Sequence, residues 1–263
     1  MKSAIINITR VLVVLLLLMP AMISCGSMHN HVREIQKLHL GIPYKSFAAI
    51  YVDRKIIATG CPKQEKMGEC LKILKQLPIV PNNGFGSGIL IYHKGKKFVL
   101  TAAHVCTVPG MEFAEYNGFK FSLKMEESIE IQFYGKNRRA AKIVAIDDQN
   151  DLCLLAAPEN AKKIKPVYLA SEPPRIGEKI YNISAPLAIN GPNMALMFDG
   201  YFSGVMGRFY YYTVPAKPGA SGSAILNRDY QIVGTVNIAA TKFENLAIGT
   251  GWHQLKIFLD KID

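Results

Sequence analysis

From about residue 46 to residue 251 the apolar positions fall in short runs at roughly ten-residue intervals: FAAIYV, KIIATG, GILIY, KFVLTAA, IEIQFY, AKIVAI, DLCLLAA, KIYNIS, MALMF, RFYYYTV, SAILN, QIVGTVNIA and LAIGTG. Clusters of Gly, Pro, Asn and Lys separate them, with Asp53 and Arg54 as a candidate turn between the first two. Runs of this kind predict strands, and their number and even spacing predict an all-β chain. Two stretches break the pattern. Glu65 to Leu77 places Cys70, Leu71, Leu74 and Leu77 at three- to four-residue spacing, which predicts a short amphipathic helix ended by Pro78, Pro81 and Asn82-Asn83-Gly84. His253 to Lys261 sets Leu255, Phe258 and Leu259 on one face and predicts a closing helix.

The first ten residues carry Lys2 and Arg10 and no acid, and Val11 to Leu18 is unbroken apolar sequence. The apolar stretch ends at Ile23 after 13 residues, short of the roughly 20 that a spanning helix needs. Residues 1–24 therefore read as an export signal. Met22-Ile23-Ser24-Cys25 resembles a bacterial lipobox, with Met22 where Leu is usual. That resemblance implies a lipid on Cys25 and a membrane anchor, while an ordinary cleaved signal shares the same apolar core. Residues 25–45 read as a tether with His29, His31 and His39. No further ligand at metal spacing follows them, so no metal is expected.

Export changes the meaning of the cysteines, because an oxidising compartment permits disulfides. With Cys25 as the lipid site, Cys61, Cys70, Cys106 and Cys153 remain, and four cysteines allow three pairings. Cys61 and Cys70 flank a short polar stretch, and Cys106 and Cys153 each sit two residues after a candidate catalytic residue. The net charge of +11 falls to +9 without Lys2 and Arg10. The lysines are scattered rather than blocked with aromatics, which predicts a solvated surface and no nucleic-acid partner.

Three segments carry candidate chemistry. Phe98 to His104 (FVLTAAH) puts His104 at the end of an apolar strand, Asn150-Asp151-Leu152 puts Asp151 at the mouth of another, and Pro218 to Ala224 (PGASGSA) puts Ser221 in a glycine-flanked turn. A serine hydroxyl becomes a useful nucleophile only when a base removes its proton during attack. Imidazole suits that task, a carboxylate fixes its tautomer, and backbone N–H groups, here those of Gly219 and Ser221, can hold the oxyanion. Singly, each residue is more often a core histidine, a strand cap or a turn residue. Jointly, His, Asp and Ser at separations of 47 and 70 in a β-rich chain point to a triad. The alternative elbow of an α/β-hydrolase needs Gly at the position of Ser223 and the order Ser, Asp, His. Asp147 and Asp148 lie close by, but Asp151 alone directly precedes the apolar run.

TAAH, NDLCLL and PGASGSA resemble the three catalytic motifs of the trypsin-like superfamily, most nearly its bacterial HtrA-type periplasmic proteases. GFGSGILI, SAPLAINGP and IVGTVNIA with LAIGTG extend the likeness over about residues 46 to 261. Ala220 and Ser223 depart from the usual G-N-S-G-G or G-D-S-G-G. The resemblance implies two antiparallel six-stranded β-barrels, at about 46–160 and 165–252, with a closing helix at 253–261. It places Cys61 to Cys70 in an insertion between the first strands, and the given sequence ends where a PDZ domain would follow, so none is expected. It further implies an exported serine endopeptidase acting on proteins or peptides through His104, Asp151 and Ser221, without a cofactor. Pro215, with Val236, Asn237 and Ile238, is expected to form a neutral substrate pocket, with Lys217 turned either inward or to solvent. A silent binding protein of the same fold, or an esterase using the same triad, would share these motifs.

Overall fold

The computed structural model describes residues 41–63, 66–107, 113–240 and 243–262. The expected signal, the lipidation site at Cys25 and residues 25–40 of the expected tether lie outside the described residues, while its last residues enter a short 3-10 helix at Tyr44–Ser46. Among the described residues, sixteen strands run in chain order: β1 (Phe47–Gly60), β2 (Val80–Pro81), β3 (Gly84–His93), β4 (Lys96–Thr101), β5 (Phe113–Tyr116), β6 (Phe119–Phe133), β7 (Arg139–Ala141), β8 (Ile143–Asp147), β9 (Leu152–Ala156), β10 (Lys179–Ser184), β11 (Leu196–Met206), β12 (Phe209–Tyr212), β13 (Ala224–Leu226), β14 (Ile232–Thr235), β15 (Ile238–Ala239) and β16 (Ala247–Thr250).

The first nine form one antiparallel sheet with the path β5-β6-β1-β3-β4-β9-β8. Only Lys142 separates β7 from β8, yet β7 pairs with β6 and β8 pairs with β9. That stretch therefore closes the sheet into a ring of six. The second sheet, β14-β13-β10-β11-β12-β16-β15, closes in the same way, because β14 pairs with β13 while β15, two residues on, pairs with β16. Closure removes the exposed edges that an open sheet would leave. Inward side chains fill each ring: Ile50, Leu90, Val99, Ile131 and Leu155 in the first, Ile180, Phe202, Tyr212, Ile225 and Val233 in the second. Burying one such side chain fully is worth about 1.5–3 kcal/mol.

The structure departs from the sequence reading at several points. Asp53 and Arg54 are not a turn. β1 runs straight through them, in register with Ser128 and Glu127 of β6. Arg54 is 3 % exposed, which the chain tolerates because its guanidinium donates to the carbonyl of Val105 at 2.8 Å and faces Glu127 at 3.4 Å. β6 and β11 are longer than their apolar runs. In β11 the buried positions Gly200, Phe202 and Gly204 alternate with exposed Tyr201 and Val205, so two glycines hide the period of two. A Cβ at Gly200 would overlap the Thr213 carbonyl. The first helix spans Met67–Leu74 rather than Glu65 to Leu77, burying Cys70 but leaving Leu71 exposed. The closing helix spans Trp252–Asp260. Cys61 pairs with Cys70, and Cys106 with Cys153. Among the described residues, no helix is long and apolar enough to cross a membrane.

Candidate active site

β4 ends at Thr101, and the chain turns through Ala102 into a four-residue helix, Ala103–Cys106, that carries His104. β8 and β9 are joined by a tight turn in which Asp147 accepts from the backbone N–H of Asn150 at 3.1 Å and its amide at 2.8 Å. The turn ends on Asp151, whose φ of +53° lies in the left-handed region. β4 and β9 are hydrogen-bonded neighbours, with Thr101 opposite Cys153. His104 and Asp151 therefore meet. The imidazole Nδ1 lies 2.8 Å from Asp151 Oδ2 and 3.0 Å from Oδ1, and the backbone N–H of His104 donates to Oδ1 at 2.9 Å. An ionised carboxylate only accepts, so the ring proton sits on Nδ1 and Nε2 is left with its lone pair.

Asn237 completes this pair from the second barrel. Its amide donates to Asp151 Oδ2 at 2.8 Å and to the Asp151 carbonyl at 2.7 Å. Its own oxygen accepts from Thr235 Oγ1 at 2.8 Å and from the backbone N–H of Thr250 at 3.1 Å. Burial of Asp151 opposes its ionisation. The hydrogen bonds from the His104 ring and backbone and from Asn237, with the attraction of the imidazole, outweigh that effect and hold the carboxyl below its ordinary pKa.

Ser221 lies in the loop before β13, fixed against the end of the first barrel. The backbone N–H of Ser87, on β3, donates to the Ser221 carbonyl at 2.8 Å. Gly222, at φ +82°, follows so closely that a Cβ there would overlap Thr101 Oγ1 and the Ser87 carbonyl and stand 2.6 Å from the N of Ala102, two residues before His104. Only glycine satisfies both demands. The turn ahead of Ser221 has Pro218 and Gly219 at its centre, closed by Ala220 N–H to the Lys217 carbonyl at 2.9 Å, with Gly219 at φ +96°. Pro followed by a residue of positive φ is the type II arrangement. Ser223 is buried and accepts from the Asn182 amide at 2.9 Å.

The four residues expected to line a pocket differ in exposure. Pro215 is half-buried and Ile238 is exposed, while Val236 packs into the core of the second barrel. Asn237 is nearly buried, and a buried amide must find partners: it finds Asp151, Thr235 and Thr250. Lys217 turns to Glu244, with Nζ 3.4 Å from Oε1. Ser87 went unnoticed in the sequence, where it was legible only as the polar residue in the middle of GSG. Asn237 was named for a pocket, but its bonds to Asp151 were not foreseen. Among the described residues, no cluster of His, Cys, Asp and Glu could hold a metal ion.

Comparison with known proteins agrees with this architecture. The family model described as trypsin-like peptidase domain matches residues 86–234. The chain is 26 % identical over 185 residues to the periplasmic pH-dependent serine endoprotease DegQ of Escherichia coli (strain K12), over 68 % of this chain and 36 % of that protein. It is similar in fold to the crystal structure of the serine endoprotease from Yersinia pestis, with a TM-score of 0.56 and 16 % identity over 84 % of this chain and 63 % of that one. The chain thus spans about a third of the length of DegQ. With more than half of its length matched by the family model, the chain belongs to the trypsin-like peptidase domain family.

Proposed function

We propose that the protein is an exported serine endopeptidase that cleaves peptide bonds through Ser221, His104 and Asp151. The observation that carries this reading is the His104–Asp151 pair, which leaves Nε2 as the basic nitrogen, on a helix that begins where Gly222, next to Ser221, packs against Ala102. In this mechanism Nε2 takes the Ser221 proton as Oγ attacks the substrate carbonyl. Asp151 stabilises the imidazolium that results. The N–H groups of Gly219 and Ser221 receive the oxyanion, and His104 returns the proton to the leaving amine. Water then attacks the acyl-enzyme by the same route in reverse. Each oxyanion donor contributes about 3–4 kcal/mol in comparable enzymes. A fluorophosphonate probe tests the assignment: labelling at Ser221 is expected, and a folded wild type left unlabelled would refute it.

The substrate residue before the cut is apolar and of small or medium size. Thr213, Val214, Pro215 and Ala216 bear no charge, Ile238 is apolar, and Lys217 is engaged with Glu244. A cationic side chain there would be desolvated without a partner. Cleavage-site profiling with a peptide library is expected to favour Val, Ala or Leu, and a dominant preference for Arg, Lys, Asp or Glu would contradict this. Export rests on the apolar leader and agrees with the periplasmic name of DegQ. A lipid on Cys25 would make the wild type partition with membranes and Cys25→Ser lose that partition. A wild type found wholly soluble, beginning at Cys25 and without a lipid mass, would reject the anchor.

A further inference from the structure

Ser87 is fully buried on β3, one barrel away from the loop that carries Ser221, and all of its polar atoms are engaged. Its N–H donates to the Ser221 carbonyl at 2.8 Å and its carbonyl accepts from Thr101 Oγ1 at 2.8 Å. Its hydroxyl donates to the Gly219 carbonyl at 2.7 Å and accepts from the N–H of Ala185 at 3.0 Å. One side chain of the first barrel thus grips two loops of the second, and one of them is the turn proposed to hold the oxyanion.

We propose that Ser87 is a positioning residue for the oxyanion turn, acting with the backbone N–H of Leu187 to aim the donor groups of Gly219 and Ser221. The inference rests on the triad reading above. In a trans peptide the C=O and N–H point in opposite directions, so fixing one end aims the other. The Pro218 carbonyl accepts from Leu187 N–H at 2.6 Å, which turns the N–H of Gly219 away from the loop that holds Leu187. The next peptide is held at both ends, its carbonyl by the Ser87 hydroxyl and its N–H by the Lys217 carbonyl. Among the described residues, neither Gly219 nor Ser221 spends its N–H on a hydrogen bond. Both donors are therefore available.

The loop that supplies Leu187 carries its own sign of constraint. Leu187 and Ala188 both sit at φ +56°, a region that residues with a Cβ rarely enter. Such a pair persists only where surrounding contacts over-determine it. Here the contacts are Leu187 N–H to Pro218, Ala185 N–H to Ser87, and the close approach of Gly219, where a Cβ would stand 2.6 Å from the Ala185 carbonyl. Without the Ser87 hydroxyl, the Gly219 carbonyl and the Ala185 N–H would be buried without this partner. The least costly relief is rotation of the Gly219–Ala220 peptide, which glycine permits. That rotation moves the oxyanion donors and leaves the His104–Asp151 pair untouched.

The test uses the full chain carrying Ser87→Ala, with Ser87→Cys as a near-isosteric second variant should the alanine form fail to fold. For each, kcat and KM are measured on a peptide substrate, together with the inhibition constant of a trifluoromethyl ketone of the same peptide sequence, whose adduct carries the oxyanion. In a folded variant kcat is expected to fall by about 10- to 100-fold, less than the 10²–10³ of deleting a donor outright. KM is expected to stay within about twofold, and ketone affinity to weaken in parallel with kcat/KM. An unchanged kcat, or a loss shared with KM while ketone affinity holds, would overturn the role of Ser87. Failure of the wild type to turn over or to bind the ketone would instead overturn the triad reading, and this inference with it.

Discussion

The side-chain amide of Asn237 donates to both Asp151 Oδ2, at 2.8 Å, and the Asp151 backbone carbonyl, at 2.7 Å. The carboxylate comes from the first barrel and the amide from the second, so these two bonds tie the barrels together at the catalytic candidate. They also hold Asp151 in its left-handed backbone conformation. The opposite side of the amide is fixed by Thr235 and Thr250, which leaves it no freedom to turn over.

Asn237→Ala should therefore affect both stability and the acid titration of the protein. Loss of a bond to a charged group, with the carboxylate left partly unsatisfied, is expected to cost about 1–3 kcal/mol. It should also raise the pKa of Asp151, since one of the groups that holds it down is gone. Denaturant unfolding at several pH values checks this. An acid limb unmoved between wild type and variant would show that the amide does not act on the carboxylate.

The depressed pKa of Asp151 has a definite sign in stability. Its folded value lies below the unfolded one, near 3.9 for a free aspartate, so its contribution is fully present above the unfolded value. It is lost as pH falls through the folded value. Asp151→Asn is expected to flatten that part of the acid limb and, by leaving the imidazole in the wrong tautomer, to lower kcat by about 10⁴-fold. Unfolding curves from pH 2 to 6 and steady-state kinetics near neutrality measure the two effects separately.

The two disulfides should differ in their contribution. Cys106–Cys153 closes 47 residues and joins the helix of His104 to the strand after Asp151, whereas Cys61–Cys70 closes nine and staples the Met67–Leu74 helix. Chain entropy assigns about 4 kcal/mol to the first and about 2.6 kcal/mol to the second. Paired Cys→Ala variants are expected to lose thermal stability in that order, and only the loss of Cys106–Cys153 should slow labelling of Ser221. The reverse order in a thermal scan would contradict this account.

The strand that leads to His104 and the turn that carries Ser221 were legible because their chemistry admits few residue types and their neighbours are apolar or glycine. Elements defined by geometry were less so. β6 hides its first ten residues in FKFSLKMEES, where Lys120, Lys124, Glu126, Glu127 and Ser128 face solvent and break the apolar run, although Asn117-Gly118, both at positive φ, is a hairpin signal that could have announced it. Arg54 reads as a surface residue until its partners, Val105 and Glu127, are known to lie 51 and 73 residues away. Asn237 sits in a neutral run that gives no sign of its bonds to Asp151. Which face of that run a residue takes is set by register, which composition does not contain.

The central claim is that Ser221 is the nucleophile, and turnover by Ser221→Ala tests it most directly. The measurement is kcat on a protein substrate such as casein, for variant and wild type of equal thermal stability. Removing the hydroxyl should lower kcat by about 10⁶-fold, as loss of a triad serine does elsewhere. A folded variant that keeps even a tenth of the wild-type rate would contradict the account.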